Sequence, residues 1–255
     1  MLTIYSRNIF GIPFKKLGRR FKGISQQIAD LDPDIVLLQE FTSGLFLLYF
    51  QQQLRKYNFF YQNNGLLSRG GLLTMVKKEI KTDNYGFTQF DNPGPKYNLH
   101  IFDNMITKGF QTLRLPKYHL CLVNVHTSSV YLSRRGYCPL QLRQIDQIRN
   151  FLDFQTIPCF LTGDFNFSPH TPPYKLLLKD SPLTDVSLHL DNSTMLRKKY
   201  VRKFDHVFVD PTKLKITGIK YVTDPKFLSD HRAIFTSLRI NRTTKISDLP
   251  NKSAS

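Results

Sequence analysis

Sorted into apolar and polar positions, the chain alternates between short apolar runs of strand length and stretches where apolar residues recur every three or four positions. Leu2 to Tyr5 reads as a first strand running out at Ser6-Arg7-Asn8, and Gly11 and Pro13 break the pattern beyond it. Phe21, Ile24, Ile28 and Leu31 share one helix face, with basic residues between them, and Asp32-Pro33-Asp34 ends that helix. Ile35 to Leu38 is apolar without interruption, as in a strand covered on both faces. Leu45 to Tyr57 predicts a second helix, and Asn63 to Gly71 a turn-rich passage.

Further strands are expected over Leu72 to Val76, Phe110 to Leu115, His119 to His126, Ile157 to Leu161, Phe204 to Val209 and Ala233 to Ile240. Asn84 to Asn98 is rich in Gly, Pro and Asn and reads as a loop. Leu142, Ile145, Ile148 and Leu152 mark the inner face of a helix over Leu140 to Phe154, and a shorter helix is expected over Tyr174 to Leu178. A polar loop then runs to Lys203. Strands and helices mixed in this way predict the α/β class. No repeat or change of composition divides the chain, so one domain is expected over residues 1–240, with a disordered polar tail over 241–255.

Composition adds the partner class. The 255 residues hold 36 Lys+Arg against 19 Asp+Glu, a formal charge of +17, with 41% hydrophobic and 13% aromatic residues. This is a globular chain whose field favours nucleic acid, phosphorylated small molecules or an anionic membrane surface. Cys121, Cys138 and Cys159 are odd in number and lack metal-type spacing. A reducing, cytoplasmic setting is therefore expected. Met1 to Tyr5 has neither a basic n-region nor an apolar h-region, and no apolar run is long enough to span a bilayer. A monomer is expected.

The candidate chemistry collects at strand ends. After the Ile157–Leu161 run, Gly163-Asp164-Phe165-Asn166 puts an acid and an amide two residues apart, on one side of an extended backbone. The acid suits orienting or deprotonating water, and the amide suits holding an oxyanion or a phosphoryl group. Polar residues stand at strand ends or edges at five further places: Asn8, Glu40, His126, Asp205 and Asp230-His231. In layered α/β proteins such ends converge on one rim. Acids with Asn and His, and without Cys, suit a hard cation, Mg²⁺ or Mn²⁺. His206 alternates away from Asp205 and is left out of the set. Arg134 and Arg135, and the run Arg197-Lys198-Lys199, are candidates to line a substrate path.

Six short elements, Ser6-Arg7-Asn8, Leu38-Gln39-Glu40, Asn124-Val125-His126, Gly163-Asp164-Phe165-Asn166, Phe204-Asp205-His206 and Ser229-Asp230-His231, occur in an order that resembles the endonuclease/exonuclease/phosphatase family. The resemblance implies a four-layer α/β/β/α sandwich, two packed mixed sheets flanked by helices. It implies a metal-dependent phosphoesterase in which water attacks phosphorus. Carried onto this chain, Glu40 is the main metal ligand, with Asn8 beside it and Asp230 near the ion. Asp164 orients or activates water, Asn166 contacts the phosphate, His231 paired with Asp205 stabilises developing charge, and His126 is a second phosphate-facing histidine. Arg7 stands where the family often has an aromatic residue, which leaves a phosphate contact or mere basic bias open. A histidine at 126 is similar to the phosphatase, sphingomyelinase and deoxyribonuclease branches and speaks against abasic-site repair.

A nuclease or phosphodiesterase acting on nucleic acid is the first expectation, on the +17 charge. A phosphatase or phosphodiesterase of phosphoinositides or other phospholipids is the second. A catalytically idle polyanion-binding protein is the third.

Overall fold

Strand β1 (Leu2–Asn8) shows how the layers arise. Successive side chains leave a strand on opposite faces. Leu2 and Ile4 enter one apolar cluster, whereas Tyr5 enters another behind the sheet. The same alternation sends Asn8 toward the first side and Arg7 toward the second. The computed structural model describes residues 1–11, 16–42, 44–64, 67–91, 107–129, 136–191, 194–197, 200–224 and 227–241. Arg134, Arg135, Lys198, Lys199 and the tail from residue 242 lie outside the described residues.

Two mixed six-stranded sheets are present among the described residues. One has the order β13 (Leu214–Tyr221), β14 (Ile234–Ile240), β1, β2 (Ile35–Gln39), β4 (Leu67–Lys77), β3 (Tyr57–Asn64). The other runs β5 (Asp83–Gln89), β6 (Gly109–Leu115), β7 (Leu120–His126), β8 (Cys159–Asp164), β12 (Asp205–Val209), β9 (Thr184–Asp185). A two-stranded ribbon, β10 (Met195–Arg197) with β11 (Tyr200–Arg202), stands apart from both. β1 and β2 are parallel, as are β7 and β8.

The sheets pack face to face through Leu2, Ile4, Ile35, Leu37 and Val76 of the first and Leu113, Leu120, Leu122, Phe160 and Val207 of the second. Helices α1 (Leu17–Leu31) and α2 (Leu45–Gln53) cover the outer face of the first sheet with Phe21, Ile24, Ile28 and Phe50. Helices α3 (Leu140–Asp153) and α4 (Pro172–Leu178) cover the second with Ile145, Ile148, Tyr174 and Leu177. The expected four layers, α/β/β/α, are observed.

Several expectations need correction. The helix expected over 45–57 stops at Gln53, and Tyr57 opens β3 instead. There Phe60 turns to the inter-sheet core while Tyr57, Phe59 and Tyr61 turn to the helices, a period of two that the reading as helix overlooked. The turn-rich passage is mostly strand, β3 running to Asn64 and β4 beginning at Leu67. Asp83–Gln89 and Leu214–Tyr221 are edge strands, β5 and β13, with polar or half-exposed positions on both faces. Edge strands of that kind carry little apolar signal. The polar loop before Lys203 contains the short strands β9, β10 and β11.

Candidate active site

Register builds one wall of the site. β7, β8 and β12 are neighbours, and His126 pairs with Asp164, which pairs with Asp205. Three side chains from positions far apart in sequence thus form one row on the inter-sheet face. Gly163 makes this close approach possible. Its φ is 145°, and a Cβ there would lie 2.1 Å from the Val125 carbonyl oxygen. The opposite wall comes from β1 and the residue after β2. Glu40 has φ 56°, a left-handed conformation uncommon outside glycine, which turns it off the strand direction.

Asn8 joins the two walls. Its Nδ2 donates to Glu40 Oε1 at 3.0 Å and to Asp164 Oδ2 at 2.8 Å, while its Oδ1 accepts from the Phe10 backbone N–H. Ser229 ties in the last segment, its hydroxyl donating to the Asn8 carbonyl oxygen at 2.7 Å and accepting from the His231 N–H at 3.1 Å. Beneath these groups lies a buried polar layer between the sheets. Gln39 Nε2 donates to Asn124 Oδ1 at 2.7 Å, and Thr74 Oγ1 donates to Gln111 Oε1 at 2.9 Å.

His231 Nδ1 lies 2.8 Å from Asp205 Oδ2, and Nε2 lies 3.9 Å from Asp164 Oδ2. Burial disfavours the imidazolium, but Asp205 and Asp164 outweigh it and push the pKa up to about 10. His231 is therefore a protonated donor near neutral pH. Asp164 is pushed up to about 7, first by burial and then by the charges of Asp205 and Glu40, against the pull of His231 and the Asn8 hydrogen bond. Its Oδ1 also accepts from the Asn166 N–H at 2.9 Å.

His126 differs from the expectation. Lys108 Nζ sits 2.7 Å from its Nε2, and Nδ1 is 3.3 Å from the Gly70 carbonyl oxygen. Burial, then Lys108, holds this imidazole well below its ordinary pKa. This favours the neutral form of the ring. Asn166 is also placed differently from a free phosphate donor, its Nδ2 donating to the Thr127 carbonyl oxygen at 3.0 Å. Among the described residues Arg7 contacts none of the site groups, lying in an ion pair with Asp224 and a hydrogen bond to Gln27 on α1. Arg20, not singled out by the sequence, donates to the Leu228 and Ile9 carbonyls and lies in the field of Glu40 and Asp230.

Ligand atoms of Glu40, His126 and Asp164 lie within 4.8 Å of one another, as do those of Asp164, Asp205 and His231. The second group sets two carboxylates around an imidazole whose protonated form they favour. The first brings two carboxylates together across Asn8, and a divalent cation would offset their repulsion. Asp230 belongs to neither group. Its charge favours protonated His231 from the adjoining position.

Comparison with curated protein sequences returns no match. Among solved structures, an endonuclease/exonuclease/phosphatase from Bacteroides vulgatus superposes with TM-score 0.74 at 16% identity, covering 94% of this chain and 99% of its own. D. rerio TDP2 complexed with single strand DNA product gives 0.70 at 17%, covering 93% and 98%. A Bacteroides thetaiotaomicron mannosyl-6-phosphatase gives 0.69 at 15%, covering 94% and 100%. At such identities the likeness is one of fold. The sequence profile described as "Endonuclease/Exonuclease/phosphatase family" matches residues 8–231, first to last element of the site, and the chain belongs to that family.

Proposed function

We propose that this protein is a divalent-metal-dependent phosphoesterase that cleaves phosphodiesters of nucleic acid by attack of water on phosphorus. The observation that carries the reading is the cluster of Asp164, Asp205 and His231 facing Glu40 across Asn8. Glu40, with Asn8 and Asp230 beside it, would hold Mg²⁺ or Mn²⁺, and a bound ion supplies charge neutralisation at the phosphoryl oxygen. Asp164 Oδ2 orients water and takes its proton; Asn8 fixes this carboxylate by a 2.8 Å hydrogen bond. His231, held by Asp205, donates from Nε2 to the phosphoryl group as charge accumulates. Lys108 adds a positive charge from the His126 side.

The net charge of +17 supports a polyanionic substrate. The likeness in fold to TDP2 with its DNA product points the same way. The test is a substrate panel with Mg²⁺, with and without chelator: single- and double-stranded DNA, RNA, phosphoinositides, sphingomyelin and a generic diester. Metal-dependent cleavage of polynucleotides with steep salt inhibition is expected. Selective lipid turnover would move the substrate to phospholipids, and tight polyanion binding without turnover would overturn the enzymatic reading.

A further inference from the structure

Two buried glutamines on the first turns of α3 face the loops that come after β7 and β8. Gln144 serves one loop only, its Oε1 accepting from the Ser128 N–H at 3.0 Å and its Nε2 donating to Ser128 Oγ at 2.8 Å. Gln141, wholly shielded from solvent, serves both. Its Nε2 donates to the Ser128 carbonyl at 2.7 Å, to the Asn166 carbonyl at 2.9 Å and, more weakly, to the Phe165 carbonyl at 3.3 Å. Its Oε1 accepts from the Cys138 N–H at 2.8 Å, so the amide is anchored at the other end.

The Asn166 carbonyl is two links from the reacting carboxylate. Asn166 has φ 51°, a left-handed conformation that asparagine tolerates better than other residues with a side chain but that neighbouring contacts must still select. That conformation aims the Asn166 N–H at Asp164 Oδ1, at 2.9 Å. It also leaves the Asn166 carbonyl in a buried position, where an acceptor without a donor is destabilising. Among side chains, a primary amide anchored through its own oxygen can supply two N–H donors to neighbouring carbonyls. Glutamate would set a carboxylate against three carbonyl oxygens, and an aliphatic residue would leave them without this donor.

We propose that Gln141 is a positioning residue: it locks the Asn166 backbone in its left-handed conformation and so fixes the carboxylate of Asp164 for attack. This rests on the phosphoesterase reading above. The experiment compares Gln141→Met with Gln144→Met on whichever phosphoester the panel identifies. Gln141→Met is expected to lower kcat by about 10–100-fold with KM changed less than about twofold, the size usual for partners that orient a reacting group. Gln144→Met should stay within about threefold of the unaltered protein. An unchanged kcat in Gln141→Met, or an equal loss in Gln144→Met, overturns the proposal.

Hydrogen exchange provides a readout independent of turnover. Backbone amides of residues 165–168 should exchange faster in Gln141→Met, while those of 159–161 in β8 keep their protection. Equal protection of 165–168 in both proteins overturns the positioning role. If the unaltered protein cleaves no phosphoester, the function proposed above fails while the exchange result still decides whether Gln141 holds this segment. Should Gln141→Met fail to fold, Gln141→Asn keeps a primary amide but withdraws it by one methylene from the Asn166 carbonyl, and carries the same expectations.

Discussion

Strand β12 has an aspartate–histidine pair on each face, and the two pairs have the same separation and different fates. Toward the other sheet, Asp205 Oδ2 holds His231 Nδ1 at 2.8 Å. Toward the helices, Asp185 Oδ2 holds His206 Nδ1 at 2.8 Å. The difference lies in the far nitrogen. His231 Nε2 faces Asp164 at 3.9 Å, too long for a hydrogen bond, and so keeps a proton to give. His206 Nε2 is 3.0 Å from the Phe167 carbonyl, and the ring is packed between Phe167 and Phe208. One pair is reserve chemistry at a site; the other is a peg that holds β12, β9 and the 167 loop together. Residue types and spacing between partners do not separate the two, but their surroundings do.

The sharpest way to break this contrast is Asp164→Asn, the group that His231 faces. Turnover is expected to fall by about 10⁴-fold while the melting temperature is unchanged or rises, since a crowded buried acid becomes neutral; initial rates and thermal melts read both, and near-normal activity in folded protein would contradict the assignment. Next is His231→Gln, for which steady-state rates should drop by about 10³-fold with the circular dichroism spectrum retained. On the opposite face, Asp185→Asn should act on stability, by about 3 kcal/mol for a broken buried pair, or roughly 6–12 °C in Tm. Burial pushes the Asp185 carboxyl up, but the His206 and Ser187 hydrogen bonds and Lys203 outweigh it and hold it below its ordinary value. Its stabilising contribution is therefore present above the ordinary carboxylate pKa of about 4 and lost as pH falls through the lower folded value. Melts across that acid range should slope in the unaltered protein and flatten in Asp185→Asn. The smallest effect is expected of Asp205→Asn, about 10–100-fold in kcat, because His231 keeps its place but loses charge support.

Much of the layered fold was legible because its central strands are apolar on both faces, as in Ile35–Gln39 and Cys159–Asp164. The edges were not, since β5 and β13 pair along one side and expose the other. Reading Tyr57 as a helix end shows a second limit: an aromatic run serves either element, and the Tyr57 hydroxyl bonded to the Pro33 carbonyl is a contact no local pattern encodes. In the site, residues at strand ends in a family order were readable. Lys108 and Gln141 were not, because each acts through a partner distant in sequence and sits among unremarkable neighbours, and the bond between Gln39 and Asn124 joins two elements that no local pattern links. The reading of His126 from sequence also lacked the burial that first lowers its pKa and the Lys108 charge that adds to it.

The row formed by His126, Asp164 and Asp205 makes this protein unequally tolerant of changes in length. Removing a single residue within β7, β8 or β12 would reverse the direction of everything beyond the cut, sending a reactive group into the helix layer and an apolar one into the cleft. The connections between these strands carry no such phase. A change of length is therefore absorbed in the loops, whereas the three strands carrying His126, Asp164 and Asp205 act as a reading frame in space.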